Sequence, residues 1–149
     1  NDPYWTADAA RFYFDDLSGA KYIHYEPNKG HDLGLTIVPE VTAFFHALAA
    51  EHDLPQLGWR LANGTFTVTW DDARGKAVLW QAKSTTRDFR EARWSSKRLS
   101  GVKEVSTPAP STAKGWLAYY VAVTFPMVIG ETTVEYSLCT PITIVPDLY

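Results

Sequence analysis

Apolar positions along this chain change their period once. Before about residue 53 they fall at helical spacing, and beyond residue 58 they alternate. Val41, Phe44, Phe45 and Leu48 stand at i, i+3, i+4 and i+7, the stripe by which an amphipathic helix buries one face. Pro39 suits the first turn of that helix, where backbone N–H groups lack partners in any case. A shorter helix is predicted from Ala7 to Phe14, with Thr6 as N-cap, Asp8 in the first turn and Ser18-Gly19 at the end. Between the two helices, Tyr22, Ile23 and Tyr25 predict a strand. Pro27 stops it, because proline offers no N–H to a ladder.

Asp53-Leu54-Pro55-Gln56-Leu57-Gly58 marks the boundary, so the chain is read as two parts, 1–53 and 54–149. In the second part, Trp59 to Trp70 reads as two strands joined at Asn63-Gly64, the dipeptide that tight hairpins prefer. Asp71 to Gly75 is a turn, Lys76–Lys83 a strand and Ala92–Leu99 a further strand candidate. Thr107–Ser111 holds two prolines and reads as a loop, whereas Gly115–Phe125 and Thr132–Val145 are the longest strand candidates. Pro141 interrupts the latter. Period two places Val78 and Trp80 on one face of their strand, and Leu117, Tyr119, Val121 and Val123 on one face of theirs. About six or seven short strands with turns between them predict a β-sandwich.

Composition narrows the partners more than the fold. A net charge of −3 gives no reason to expect nucleic acid or an anionic membrane surface. The basic run Arg87, Arg90, Arg93, Lys97 and Arg98 is diluted by Asp88 and Glu91 and reads as a solvated strand face with salt bridges. No apolar stretch approaches the roughly 18 residues of a membrane span. Cys139 is the single cysteine, which excludes an internal disulfide, and its apolar strand context predicts a buried, inert thiol. Asn63-Gly64-Thr65 also matches a glycosylation acceptor, but the hairpin explains it better. No initiator Met or signal peptide is present, and an N-terminus made by processing or cutting is expected.

One constellation carries candidate chemistry. Pro27-Asn28-Lys29-Gly30 is a sharp loop, since Asn and Gly tolerate positive φ, and His31 follows it directly. Asp2 precedes His31 by 29 positions, the order in which α/β-hydrolase-type serine enzymes present acid and base. In that reading His31 is the general base, and Asp2 fixes its tautomer and stabilises the imidazolium. Asp8 is the rival acid but reads better as a capping or structural carboxylate. Asp32 adjoins His31, and a neighbouring side chain rarely wraps back onto the ring. Tyr4 and Trp5 either line a substrate pocket or pack against the first helix. His24 reads as a packed or hydrogen-bonded histidine, and His46 and His52 as solvated. No metal site and no cofactor are expected.

Several stretches, taken in order, resemble one family. They are Asn-Asp-Pro-Tyr-Trp at 1–5, Lys-Tyr-Ile-His-Tyr-Glu-Pro-Asn-Lys-Gly-His at 21–31, Leu-Trp-Gln-Ala at 79–82 and Arg-Asp-Phe-Arg at 87–90. Gly-Trp-Leu-Ala-Tyr at 115–119 and Thr-Pro-Ile-Thr-Ile-Val-Pro-Asp at 140–147 extend the set. In these the chain is similar to the PhoPQ-activated pathogenicity-related proteins. The resemblance implies a fold class of α/β plus all-β: the C-terminal fragment of an α/β-hydrolase fold over 1–53, then an immunoglobulin-like β-sandwich over 54–149. It also implies a secreted, cell-envelope or periplasmic serine hydrolase acting on a small-molecule or peptide ester or amide. No Gly-x-Ser-x-Gly elbow occurs, so the serine is expected upstream, on the N-terminal remainder of the same hydrolase. The alternative is a non-catalytic sandwich whose Trp59, Trp70, Trp80, Trp94 and Trp116 bind carbohydrate or protein. A row of exposed indoles would support it.

Overall fold

The computed structural model describes residues 1–148. Alternation from residue 57 onward becomes eight antiparallel strands: β1 (Leu57–Ala62), β2 (Thr65–Trp70), β3 (Lys76–Ser84), β4 (Ser95–Arg98), β5 (Glu104–Pro108), β6 (Trp116–Ile129), β7 (Thr132–Cys139) and β8 (Thr143–Val145). They form two sheets, β1-β2-β5 and β4-β3-β6-β7, with β8 also paired to β6. Asn63 and Gly64 both take positive φ, 49° and 70°, and close the β1–β2 hairpin with Ala62 opposite Thr65, as the Asn-Gly pair requires. β5 starts where no strand was expected and runs into the Thr107–Ser111 region that prolines made look like a loop. Pro108 ends it at the sheet edge, where its missing N–H costs no ladder bond.

β7 and β8 lie end to end along one edge of β6, and Thr140 fills the break between them. Its N–H donates to the Val121 carbonyl at 2.9 Å, and its hydroxyl accepts the Val121 N–H at 3.1 Å. A side chain thus replaces the ladder bond that the Pro141 interruption removes. Thr140 is fully buried, so both of its polar groups need these partners.

β6 is buried on both faces. Tyr119, Val121, Val123 and Phe125 point between the sheets, meeting Phe66, Val68, Leu79 and Leu138. Ala118, Tyr120 and Ala122 point outward, meeting Phe89, Trp94 and Ile142, with Ala7, Ile23 and Tyr25 laid over them. Period two therefore holds, but Trp80 belongs to the outer face and Leu79 to the inter-sheet core. Both sides of the large sheet are dry because the first part of the chain covers one of them.

That covering role overturns the expected fold class. In place of a fragment of an α/β-hydrolase fold followed by an immunoglobulin-like sandwich, the chain is mostly β, a sandwich-like fold of two antiparallel sheets with one α-helix, α1 (Val38–Ala49). Every strand pair is antiparallel. Residues 21–26 are extended but join no ladder. Their backbone tie to the sheet is the Cys139 N–H donating to the Ile23 carbonyl at 2.8 Å. A β-forming sequence becomes a strand only where neighbouring backbone can pair with it, and β7 ends at that residue. The helix predicted from Ala7 shrinks to a 3₁₀ turn over Ala9–Phe12. Phe12, Tyr13 and Phe14 are weak helix formers, and Phe14 is drawn into contact with Trp59.

α1 sits where the period predicted it but faces the other way. Ala43 and Ala47 are its buried residues, and the helix packs on β7. Val41, Phe44, Phe45 and Leu48, the predicted core stripe, are 40–63% exposed. Two alanines one turn apart let the helix backbone approach the sheet closely, and the bulky side chains are left outside that contact.

Candidate functional site

Two loops meet at one corner of the large sheet's outer face, and the segment from Phe89 to Trp94 holds both. The carboxamide of Asn1 donates to the carbonyls of Phe89 at 3.1 Å, Arg90 at 2.8 Å and Ala92 at 2.6 Å. Asn28 accepts the Trp94 N–H at 2.8 Å and donates to the Trp94 carbonyl at 3.1 Å. An asparagine side chain carries one acceptor and two donors, so it can imitate a paired strand residue. Asn28 also takes φ of 62°, the left-handed conformation that Asn tolerates better than most residues. Trp94 is buried with its ring edge-on to Tyr120 at 5.4 Å. Both loops are thereby anchored to the core.

The anchoring brings Asp2 and His31 together. His31 Nδ1 lies 2.9 Å from Asp2 Oδ2. A carboxylate only accepts, so the proton sits on Nδ1 and the Nε2 lone pair is left for a proton from another group. The other Asp2 oxygen accepts the Tyr4 N–H at 2.8 Å. The His31 hydrogen bond, followed by that of Tyr4, holds the Asp2 carboxyl below its ordinary range. A depressed value means that the pairing stabilises the loop above the ordinary carboxylate pKa. That contribution is lost as pH falls through the lowered one. The Tyr4 ring meets the His31 ring edge-on at 4.9 Å. The pair is open to solvent, with the His31 side chain 65% and Asp2 32% exposed.

The other carboxylates are engaged elsewhere. Asp8 is buried and bridges to Arg87 at 2.6 Å, with Arg11 at 3.5 Å. It ties the start of the 3₁₀ turn to Arg87, just ahead of the Phe89–Trp94 segment, while His31 pairs with Asp2. Asp32 accepts the Gly34 N–H at 2.9 Å, closing its own turn. Tyr4 and Trp5 lie on the surface, and with Asp2 they line an open pocket of about 780 Å³ that extends to Tyr25, Arg87 and Trp94. His31 is not one of its lining residues, although Gly30 and Leu33, close to it in sequence, are. Burial pushes the Cys139 thiol up to about 12, which removes it as a nucleophile.

Sequence reading missed the two clamps. Asn28 stood out for its φ tolerance, and both Asn28 and Asn1 as parts of the family-like stretches, but neither as a clamp. Arg87 to Arg98 read as a solvated strand face with salt bridges to the first part of the chain; the half-buried Arg87 makes such a bridge to Asp8, yet Phe89 and Trp94 are core. The available signal was the aromatic residues interleaved among the charges. Of the five tryptophans of the sandwich, Trp70 and Trp94 are buried, Trp80 and Trp116 half-buried, and Trp59 exposed. They form no exposed row.

Among the described residues no helix is long and apolar enough to cross a membrane. No curated protein and no solved structure matches the chain. A family model does match, described as PhoPQ-activated pathogenicity-related protein, over residues 1–90. The matched span takes in the Asp2 loop, the His31 loop, α1 and the first two residues of the segment that clamps the loops. The chain belongs to the PhoPQ-activated pathogenicity-related protein family.

Proposed function

We propose that Asp2 and His31 are the acid and general base of a serine hydrolase whose nucleophile is supplied by polypeptide outside these 149 residues. The observation that carries this reading is the 2.9 Å bond from His31 Nδ1 to Asp2. It sets the tautomer that general-base catalysis needs and leaves Nε2 to take a proton. In the reaction, Nε2 accepts the serine proton as Oγ attacks the ester or amide carbonyl. The imidazolium then protonates the leaving group, and water hydrolyses the acyl-enzyme by the same route. Asp2 stays ionised throughout and stabilises the imidazolium.

Solvent exposure of the pair supports the same reading. Tyr4 and Trp5, which line the pocket with Asp2, are 73 and 70% exposed. Large apolar side chains gathered at one surface mark an interaction site, here one that the serine-bearing remainder of the hydrolase would cover. Family likeness adds a secreted or envelope location. The binding-module alternative draws no support from the tryptophans, because its aromatic platform is missing.

The test uses the full-length protein with activated esters and amides. Asp2→Asn is expected to lower turnover by about four orders of magnitude with substrate binding retained, as loss of the triad acid does elsewhere. His31→Ala should abolish labelling of a serine by a fluorophosphonate. Unchanged hydrolysis in both variants would overturn the assignment.

A further inference from the structure

We propose a divalent-cation site, separate from the dyad, formed by His24, Glu26 and Glu40. His24 and Glu26 come from the extended segment laid on the sheet, and Glu40 from the first turn of α1. Their side chains are 18, 12 and 16% exposed, and one ligand atom from each lies within 4.8 Å of the others. No lysine or arginine pairs with either glutamate among the described residues.

Hydrogen-bond accounting points to a cation. His24 Nδ1 lies 3.1 Å from the Ser137 carbonyl, and Nε2 lies 3.0 Å from Glu26 Oε1. Both partners are acceptors. A neutral imidazole has one N–H and can satisfy one of them; its other nitrogen then directs a lone pair at oxygen. Either a second ring proton or a cation bound beside both atoms has to balance that contact. A second ring proton would answer the imidazole but leave two carboxylates against one positive charge. It would also leave Glu40 Oε2, which is buried and lacks a hydrogen-bond partner, unsatisfied. A divalent ion neutralises both carboxylates and gives that oxygen a ligand role.

Geometry and donor chemistry narrow the ion. With Nδ1–H donating to Ser137, Nε2 becomes the ligand nitrogen, and the backbone carbonyl fixes the ring in the manner of an outer-shell partner. The 3.0 Å between Nε2 and Glu26 Oε1 is close to the ligand–ligand edge of about 3.3 Å implied by zinc bond lengths. Glu40 Oε1 stands 3.7 Å from Nδ1, inside the 4.8 Å cluster, and would turn toward Nε2 to join the ion. One imidazole with two carboxylates suits zinc or a related first-row ion, and it disfavours magnesium, which prefers oxygen ligands alone. Three protein ligands leave a coordination position open, and His24 and Glu26 line the same pocket as Asp2. Sequence spacing concealed the site because Glu40 joins it only through the docking of α1.

Titration calorimetry of the whole chain with Zn²⁺ is expected to give one ion per chain, with no uptake of Mg²⁺. Glu40→Gln and Glu26→Gln should each weaken binding at least about tenfold, the low end for losing even an outer-shell partner. His31→Asn, which disables the other His–Asp pair, should leave zinc binding intact. In parallel, zinc should shift the His24 ring resonances. Circular dichroism checks each variant's fold; if Glu40→Gln fails to fold, Glu26→Gln and the His24 resonances decide. No stoichiometric uptake, uptake lost in His31→Asn alone, or His24 resonances that stay fixed as zinc binds would each overturn the site.

Discussion

Tyr120 shows how far the outer face of the sheet behaves as a core. Its ring lies within stacking or edge distance of Tyr25 at 5.1 Å, Trp94 at 5.4 Å and Trp80 at 6.5 Å. Its hydroxyl is buried with no hydrogen-bond partner, and burial pushes its ionisation upward. Leaving a hydroxyl unpaired costs about 1–3 kcal/mol. Tyr120→Phe keeps the ring and removes the cost, so urea unfolding should show a stability equal to or above the parent's. A loss beyond about 1 kcal/mol would mean that the hydroxyl has a partner. Cys139 lies in the same layer. With its thiol raised to about 12 by desolvation, it should resist a disulfide reagent at mildly alkaline pH and react with one equivalent once denatured. Rapid labelling of the native protein would show that the layer opens.

At the level of elements, α1 is the informative case. Its position follows from periodicity and its orientation does not. The apolar moment points to Val41, Phe44, Phe45 and Leu48, but contact with β7 is made by Ala43 and Ala47. A helix lying close against a sheet needs small residues at the point of approach, and a bulky side chain there would force the backbones apart. Ala43→Leu should therefore cost about 1–3 kcal/mol through overpacking. Phe45→Lys, on the exposed side, should change stability by no more than about 0.5 kcal/mol. Denaturant melts of the two variants separate the orientations, since a helix docked by its large residues would reverse the order.

On the scale of the molecule, β6 is the axis. It pairs with β3 on one edge and with β7 and β8 on the other, and both its faces are covered. Exchange from its centre requires the sandwich to open and the first part of the chain to lift away together. Amide exchange should be slowest over Tyr119–Val123 and should there approach the global unfolding limit. Residues 21–26, tied to the sheet by one backbone–backbone bond, to Cys139, and by the His24 side chain, should exchange far faster. Comparable protection in the two segments would mean that the covering layer and the sandwich unfold as one unit.

Local chemistry was legible wherever a residue's role depends on its own neighbours in sequence. Alternation from Trp59 onward foretold the strands other than β5, Asn63-Gly64 the hairpin, Pro141 an interruption in the last long strand, and the Pro-Asn-Lys-Gly loop a turn delivering His31. The ordered motifs pointed to the family that the match over residues 1–90 shows. Tertiary structure decided everything that depends on which surfaces meet. Tyr22 to Tyr25 had strand propensity but no backbone to pair with, so they became cover for a sheet that no part of the sequence marks as needing it. Trp94 and Asn28 are 66 positions apart, and Glu40 reaches His24 only because two alanines dock α1 on β7. Side-chain alternation is a property of the backbone and is written locally. The partner of each face is set by long-range packing, and here that packing turned an expected hydrolase layer into the outer wall of a β-sandwich.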